Sequence, residues 1–236
     1  MRTTLLASIS LLAACSGNPL DPGAGSSQGT GTGTLLVTGN AFAHAEVANA
    51  KLASDFTTEL TIRVSLNGQD VTAGTVTIDS RSMKTPLALT FSTQNGGEWD
   101  GTAPGYDEVY ELGVVAGPDK VQGVIVDGPD IHDFTAPMAG ASLDSTMANT
   151  LTWSRIVPAE QASVRVGDLD RVAIDDTGTF SIPAGSLKAE KDQSRPNTIA
   201  LTRTNQIVPK GAVAGSMFSV SVENDLDVVA LPNPAL

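Results

Sequence analysis

The stretch Glu59-Leu60-Thr61-Ile62-Arg63-Val64-Ser65-Leu66-Asn67-Gly68 decides the fold class. Leu60, Ile62, Val64 and Leu66 alternate with Glu59, Thr61, Arg63 and Ser65, so an extended backbone sends four aliphatic side chains to one face and four polar ones to the other. On a helix the same residues would scatter around the axis, because its period is 3.6 rather than 2. Asn67-Gly68 then supplies two residues that tolerate positive φ. With Val71, Val76 and Ile78 following, the segment reads as a strand, a tight turn and a returning strand.

The alternation repeats outward from this hairpin. Further strands are expected at 35–42, 87–93, 109–115 and 121–126, separated by Asn95-Gly96-Gly97 and Gly117-Pro118. That is about seven strands in roughly 95 residues. The apolar alternation stops at Asp127-Gly128-Pro129-Asp130-Ile131-His132-Asp133-Phe134-Thr135-Ala136-Pro137, where turn-forming residues gather. A second series follows: 150–154 with Trp153, Val164 and Val166, 179–182 before Pro183, Ile199 and Leu201, Phe218 to Val222, and a closing strand at 226–231. Helical periodicity is weak throughout, and 43–54 offers only a modest helical alternative to a loop. The expected fold class is all-β, with two tandem sandwich domains at 35–128 and 129–236.

Composition agrees. The 236 residues include 23 Gly and 13 Pro and are 17% charged, a mixture suited to short strands and many turns. Acids outnumber bases 26 to 14, giving a net charge of −12, which becomes −13 if Arg2 leaves with a signal peptide. A phosphate backbone would be repelled, so no nucleic acid partner is expected, and charge alone would not draw the chain onto an anionic bilayer.

The N-terminus is read separately. Residues 1–14 have a positive start at Arg2, an apolar run from Leu5 to Leu12 and then small residues, a signal peptide profile too short to span a bilayer. Leu12-Ala13-Ala14-Cys15 resembles the lipobox of bacterial lipoproteins. The resemblance implies cleavage before Cys15, lipidation of its sulfur and acylation of the new amino group. Cys15 is the only cysteine, so it has no disulfide partner. Two or three acyl chains at one residue anchor durably where a single chain does not. Ser16 follows, and by resemblance to enterobacterial lipoproteins a residue other than Asp there favours the outer membrane over the inner. Residues 15–34 are rich in Gly, Ser and Thr and read as the lipidated Cys and a flexible tether, with a typical span of roughly 25 Å and an extended limit of about 65 Å. The Gly29, Gly31, Gly33 alternation lacks the strand and helix of a nucleotide loop and reads as part of this linker.

The folded part resembles the immunoglobulin-like or fibronectin type III-like modules of bacterial lipoproteins of uncharacterised function. The resemblance is carried by Thr152-Trp153-Ser154, by Tyr110-x-Leu112-x-Val114, and by Asp176 to Gly185 together with Leu201-Thr202-Arg203. It implies a fold and fixes no function.

No HExxH, phosphate loop, GxSxG or CxxC motif occurs, so catalytic residues are not assigned and the chain is expected not to be an enzyme. With only His44 and His132, and no free thiol once Cys15 is lipidated, neither a zinc site of usual composition nor a Cys/His nucleophile can be assembled. The sharpest metal candidate is Asp127, Asp130 and Asp133. No cofactor is expected apart from calcium, which would stiffen the joint between domains through these oxygen ligands; the plainer reading is that they are turn residues in a solvated connection. Asp168/Asp170, Asp175/Asp176 and the group Glu223, Asn224, Asp225 and Asp227 are read as strand-joining turns. Trp153, Tyr106 and Tyr110 are expected in the cores, and Trp99 partly buried beside a turn. The functional expectation is a membrane-anchored envelope lipoprotein, a non-enzymatic binding or scaffolding module for an unknown protein or glycan partner. An envelope enzyme or glycan-binding accessory protein and an adhesion or assembly spacer are the alternatives.

Overall fold

In the computed structural model, which describes residues 18–236 apart from Asn95 and Asp168, Glu59 to Leu66 lies in β3 (Phe56–Leu66). Leu60, Ile62 and Val64 are buried, and Leu66 pairs with Gln69 of β4 (Gln69–Asp70) across a two-residue turn. Asn67 and Gly68 take φ of 52° and 78°, which is why this dipeptide is needed there. The preceding strand, β2 (Leu35–Ala45), pairs with β3 along its whole length. β1 (Ser27–Gly31), β5 (Thr75–Ser80), β6 (Leu87–Ala88), β7 (Thr90–Ser92), β8 (Glu98–Pro104), β9 (Val109–Ala116) and β10 (Asp119–Asp127) complete the first half. The second half holds β11 (Phe134–Ala136), β12 (Ser142–Leu143), β13 (Asn149–Trp153), β14 (Gln161–Val166), β15 (Leu169–Ile174), β16 (Thr179–Ile182), β17 (Arg195–Ile207) and β18 (Met217–Ala230). Segment 43–54 is not an α-helix: after β2 it bends into one 3-10 turn at Ala53–Asp55.

The protein is all-β, built as two sandwiches that share one sheet. A five-stranded sheet in the order β1-β10-β9-β5-β6 packs on β18, β2, β3 and β8 of a ten-stranded sheet. A three-stranded sheet, β11-β13-β16, packs on β14, β17 and β18 at the other end of that same large sheet. β17 and β18 are the reason the sheet is continuous, since all thirteen residues of β17 pair antiparallel with β18, from Arg195↔Ala230 to Ile207↔Phe218. The first half of β18 also runs parallel to β2, from Met217↔Thr38 to Glu223↔His44.

Three expectations are corrected. The two cores do not divide the chain at 128/129, because Phe218, Val220 and Val222 sit in the first core and Leu226, Val228 and Ala230 in the second. A single strand therefore replaces the two expected at 218–222 and 226–231, and Glu223 to Asp227 lie within it rather than in a turn. The described part of the segment expected as tether, residues 18–34, is structured. Leu20 packs on Val109 and Ile125, Asp127 Oδ2 accepts the Gly23 and Gly25 amides, and β1 pairs with β10 from Ser27↔Ile125 to Gly31↔Val121. Gly29 is at φ 65°, and a Cβ there would run into the Gln122 carbonyl, so glycine permits close strand packing rather than looseness. The expected signal peptide at 1–14, with Cys15 and Ser16, lies outside the described residues. Among the described residues no helix is long and apolar enough to cross a membrane.

Candidate functional site: the waist between the two cores

The inward faces of the two long strands carry their own boundary marker. On β18 the even positions face inward, apolar at 218, 220 and 222 and again at 226, 228 and 230, with Asn224 fully buried between them. On β17 Ile199 and Leu201 belong to the second core, and the next inward residue is Arg203, 0% exposed. A buried guanidinium is tolerated only where its N–H groups and charge are met. Here Nε donates to Asp176 Oδ2 at 2.9 Å, Nη1 to the Asp130 carbonyl at 2.6 Å, and Nη2 to Asp130 Oδ1 at 3.3 Å and the Val157 carbonyl at 2.6 Å.

Both carboxylates are held on their other sides. Asp176 also accepts from Trp153 Nε1 at 2.9 Å and the Ala159 amide at 2.7 Å, with Arg155 Nε 3.9 Å away. Burial alone would raise its pKa, but these hydrogen bonds and the Arg203 charge outweigh burial and hold it below the ordinary value. Asp130 Oδ2 accepts the Ile156 amide at 2.9 Å.

The polypeptide passes from one sandwich to the other through this network, and its carbonyls are taken one after another. Asp127 O accepts from Asn205, Pro129 O from the Tyr106 hydroxyl, Asp130 O from Arg203, His132 O from Asn224 and Asp133 O from the Ser154 amide. Gly128, Pro129, Asp130 and His132 are buried, so the connection is a packed crossing and not the solvated one expected. His132 is fully buried, stacked edge-on against Phe134 at 5.4 Å, with neither ring nitrogen in a hydrogen bond. Burial first, and the nearby Arg203 charge second, push its pKa down to about 3, against the smaller opposing pull of Asp176 and Asp130.

A cleft of about 320 Å³ opens at the waist, lined by Glu108, Asp127, Asp130 and the exposed Ile156 and Val157 among others. Burial, then the charges of Asp130 and Asp127, raise the Glu108 pKa. The three aspartates nominated for calcium do not converge. Asp127 caps two glycine amides, Asp130 is bound by Arg203, and Asp133 faces Lys51 at 3.5 Å. Among the described residues no set of three His, Cys, Asp or Glu side chains is placed to hold a metal ion. Asp176 does stand in the loop joining β15 and β16, as expected, but as a buried partner of Arg203; Asp170 is inside β15, and Asp168 lies outside the described residues. Trp99, 6% exposed, donates Nε1 to the Val71 carbonyl and stacks on Phe91. Trp153, Tyr106 and Tyr110 are in the cores as expected. Glu108 carries no mark in the sequence, while Arg203 reads there only as part of a module pattern, Asn224 as part of a turn and His132 as one of two histidines; the signal for the inward roles of Arg203 and Asn224 is a polar residue in the inward register of a long strand.

No protein-family model matches the sequence, and neither does a curated protein. Among solved structures, the chain is similar to the fibronectin(III)-like modules of Clostridium thermocellum CbhA, at 8% identity and TM-score 0.28, covering 86% of this chain and 96% of that one. It is also similar to the chicken CNTN1 FN1-FN3 domains, at 11% identity and TM-score 0.23, covering 78% of this chain and 67% of that one. A further similarity, to the Yersinia pseudotuberculosis adhesin InvE, is at 16% identity and TM-score 0.25, covering 81% of this chain and 60% of that one.

Proposed function

We propose that this chain is a non-catalytic envelope lipoprotein, a rigid two-sandwich module that presents a binding or scaffolding surface from a lipid anchor at Cys15. The observation that carries the rigid-module part is the β17–β18 ladder, which runs unbroken through both cores and leaves no hinge where they meet. The anchor rests on Leu12-Ala13-Ala14-Cys15 and the signal peptide profile before it, with Ser16 favouring the outer membrane. The partner is a protein or glycan of the envelope. A flat sugar platform built on Trp99 is disfavoured, because that ring is enclosed by Phe91 and Val71 rather than presented.

Intact mass of the mature chain taken from membranes, beside a Cys15→Ala version, tests the anchor. The expected result is a chain starting at residue 15 and heavier than its sequence by the acyl groups, with Cys15→Ala unacylated. An uncleaved, unacylated native chain would overturn the reading. For the binding role, cross-linking in intact cells is expected to trap one recurrent envelope partner, and recovery of none would leave a spacer.

A further inference from the structure

We infer that the anchored protein lies side-on along the bilayer, held at mid-length by the outer face of the β1-β10-β9-β5-β6 sheet, and does not stand on either tip. The inference rests on the lipid at Cys15 proposed above, and its occupant for that sheet face is the bilayer surface.

Chain length and the place where the chain joins the folded body decide the posture. Tyr110, Val124 and Val126 point into the first core, so their strand neighbours Val109 and Ile125 point out of the sandwich, and it is on these that Leu20 packs. Asp21 pairs with Arg81 at 3.2 Å, and the Asp127 amide donates to Ser26 Oγ at 3.0 Å, so residues 20–26 are fastened to that outer face. The point of attachment is beside the waist. Asp127, which holds this segment, has its carbonyl on Asn205, and Asn205 pairs with Val220.

Distances along the shared sheet follow from strand rise. Val220 is ten residues from Ala230 at one end of the body. Its parallel partner Ala41 is six residues from Leu35 at the other. At about 3.3 Å per residue these are roughly 33 Å and 20 Å, for a body about 50 Å long. The three residues from Cys15 to Asn18 reach at most about 11 Å. A body standing on its nearer tip would carry Asn18 roughly 20 Å above the surface, about twice that reach. Lying along the bilayer removes the conflict. With a net charge that goes from −12 to −13 when Arg2 is removed, the chain has no electrostatic reason to adsorb, so the short leash alone imposes the posture, and neutral vesicles suffice to test it.

Acylated full chain carrying either Val213→Cys or Lys191→Cys is labelled with a donor dye at the new thiol and placed in phosphatidylcholine vesicles containing acceptor-labelled lipid. Val213 marks one tip, its amide donating to the Leu35 carbonyl; Lys191 marks the other, next to Glu190, whose carbonyl accepts the Asn233 amide. Energy transfer at the two positions should agree within about twofold, because a body lying along the bilayer holds both tips at a similar height above the acceptor plane, whatever their distance from the waist. An insertion of about twenty Gly/Ser residues between Ser16 and Gly17 should cause loss of transfer at both. Strong transfer at one position with background at the other would overturn the inference, as would transfer indifferent to the insertion. Intact mass of the same sample separates these failures from failure of the anchor, since an unacylated chain removes the premise itself.

Discussion

His132 gives the waist a measurable acid sensitivity. Its ring is enclosed, neither nitrogen is in a hydrogen bond, and Arg203 adds positive charge nearby, so the folded chain holds the neutral form down to about pH 3. In the unfolded chain the same ring takes up a proton near pH 6.5. Above pH 6.5 both states are neutral and the residue adds no pH dependence. Below it the unfolded chain binds a proton that the folded chain does not, so stability falls by about 1.4 kcal/mol per pH unit down to the folded pKa. Between pH 7 and pH 5 the loss is about 2 kcal/mol, close to thirtyfold in the folding equilibrium. The perturbation is His132→Leu, which cannot titrate. Losing the ring contact with Phe134 shifts the variant by an amount independent of pH, while titrations elsewhere in the chain are common to both proteins and cancel in the comparison. Urea unfolding at pH 7, 6 and 5 should therefore show the gap between variant and native chain moving in the variant's favour by about 2 kcal/mol as pH falls. Parallel loss of stability in the two proteins would refute the reasoning.

Other expectations follow from the same geometry. Arg203→Met should destabilise by about 3–5 kcal/mol in urea unfolding, because Asp176 and Asp130 stay buried without their hydrogen-bonded cation and only Arg155, 3.9 Å from Asp176, remains; native-like stability would mean that water reaches the waist. Trp99→Phe and Trp153→Phe each leave one tryptophan reporting one core, and the two fluorescence midpoints should coincide if the shared hairpin makes the cores melt together. Gly29→Ala should cost about 1–3 kcal/mol, through positive φ and the Gln122 carbonyl, whereas a free tether would register no change in thermal midpoint. Millimolar calcium should leave the thermal midpoint where it is, since Asp127, Asp130 and Asp133 are each engaged elsewhere.

Alternation was legible wherever a strand has one wet face and one core. Leu60 to Leu66 and Phe218 to Val222 needed only period two, and Asn67-Gly68 only its tolerance of positive φ. What escaped was every feature whose meaning depends on a second segment far away in sequence. Ser27 to Gly31 offers no aliphatic alternation because β1 is an edge strand whose glycines admit the β10 backbone, and composition alone cannot distinguish that from slack. The acidic run Glu223 to Asp227 imitates a turn, yet of its polar residues only Asn224 stands in the inward register, where it holds the Ala50 backbone and the His132 carbonyl. A strand that serves two cores must be polar where it passes between them, because there the inward side chain meets crossing backbone instead of aliphatic groups. Arg203 and Asn224 answer that demand from adjacent strands, and a polar residue kept in the inward register of a long apolar strand is the local mark of such a crossing. The Asp127 to Asp133 run obeys the same physics from the other side: its turn-formers are placed where the chain must bend, and its carbonyls are buried because side chains from both sandwiches reach them. Joint and core are thus one structure, and stiffness at the waist follows from hydrogen bonds already made within the chain.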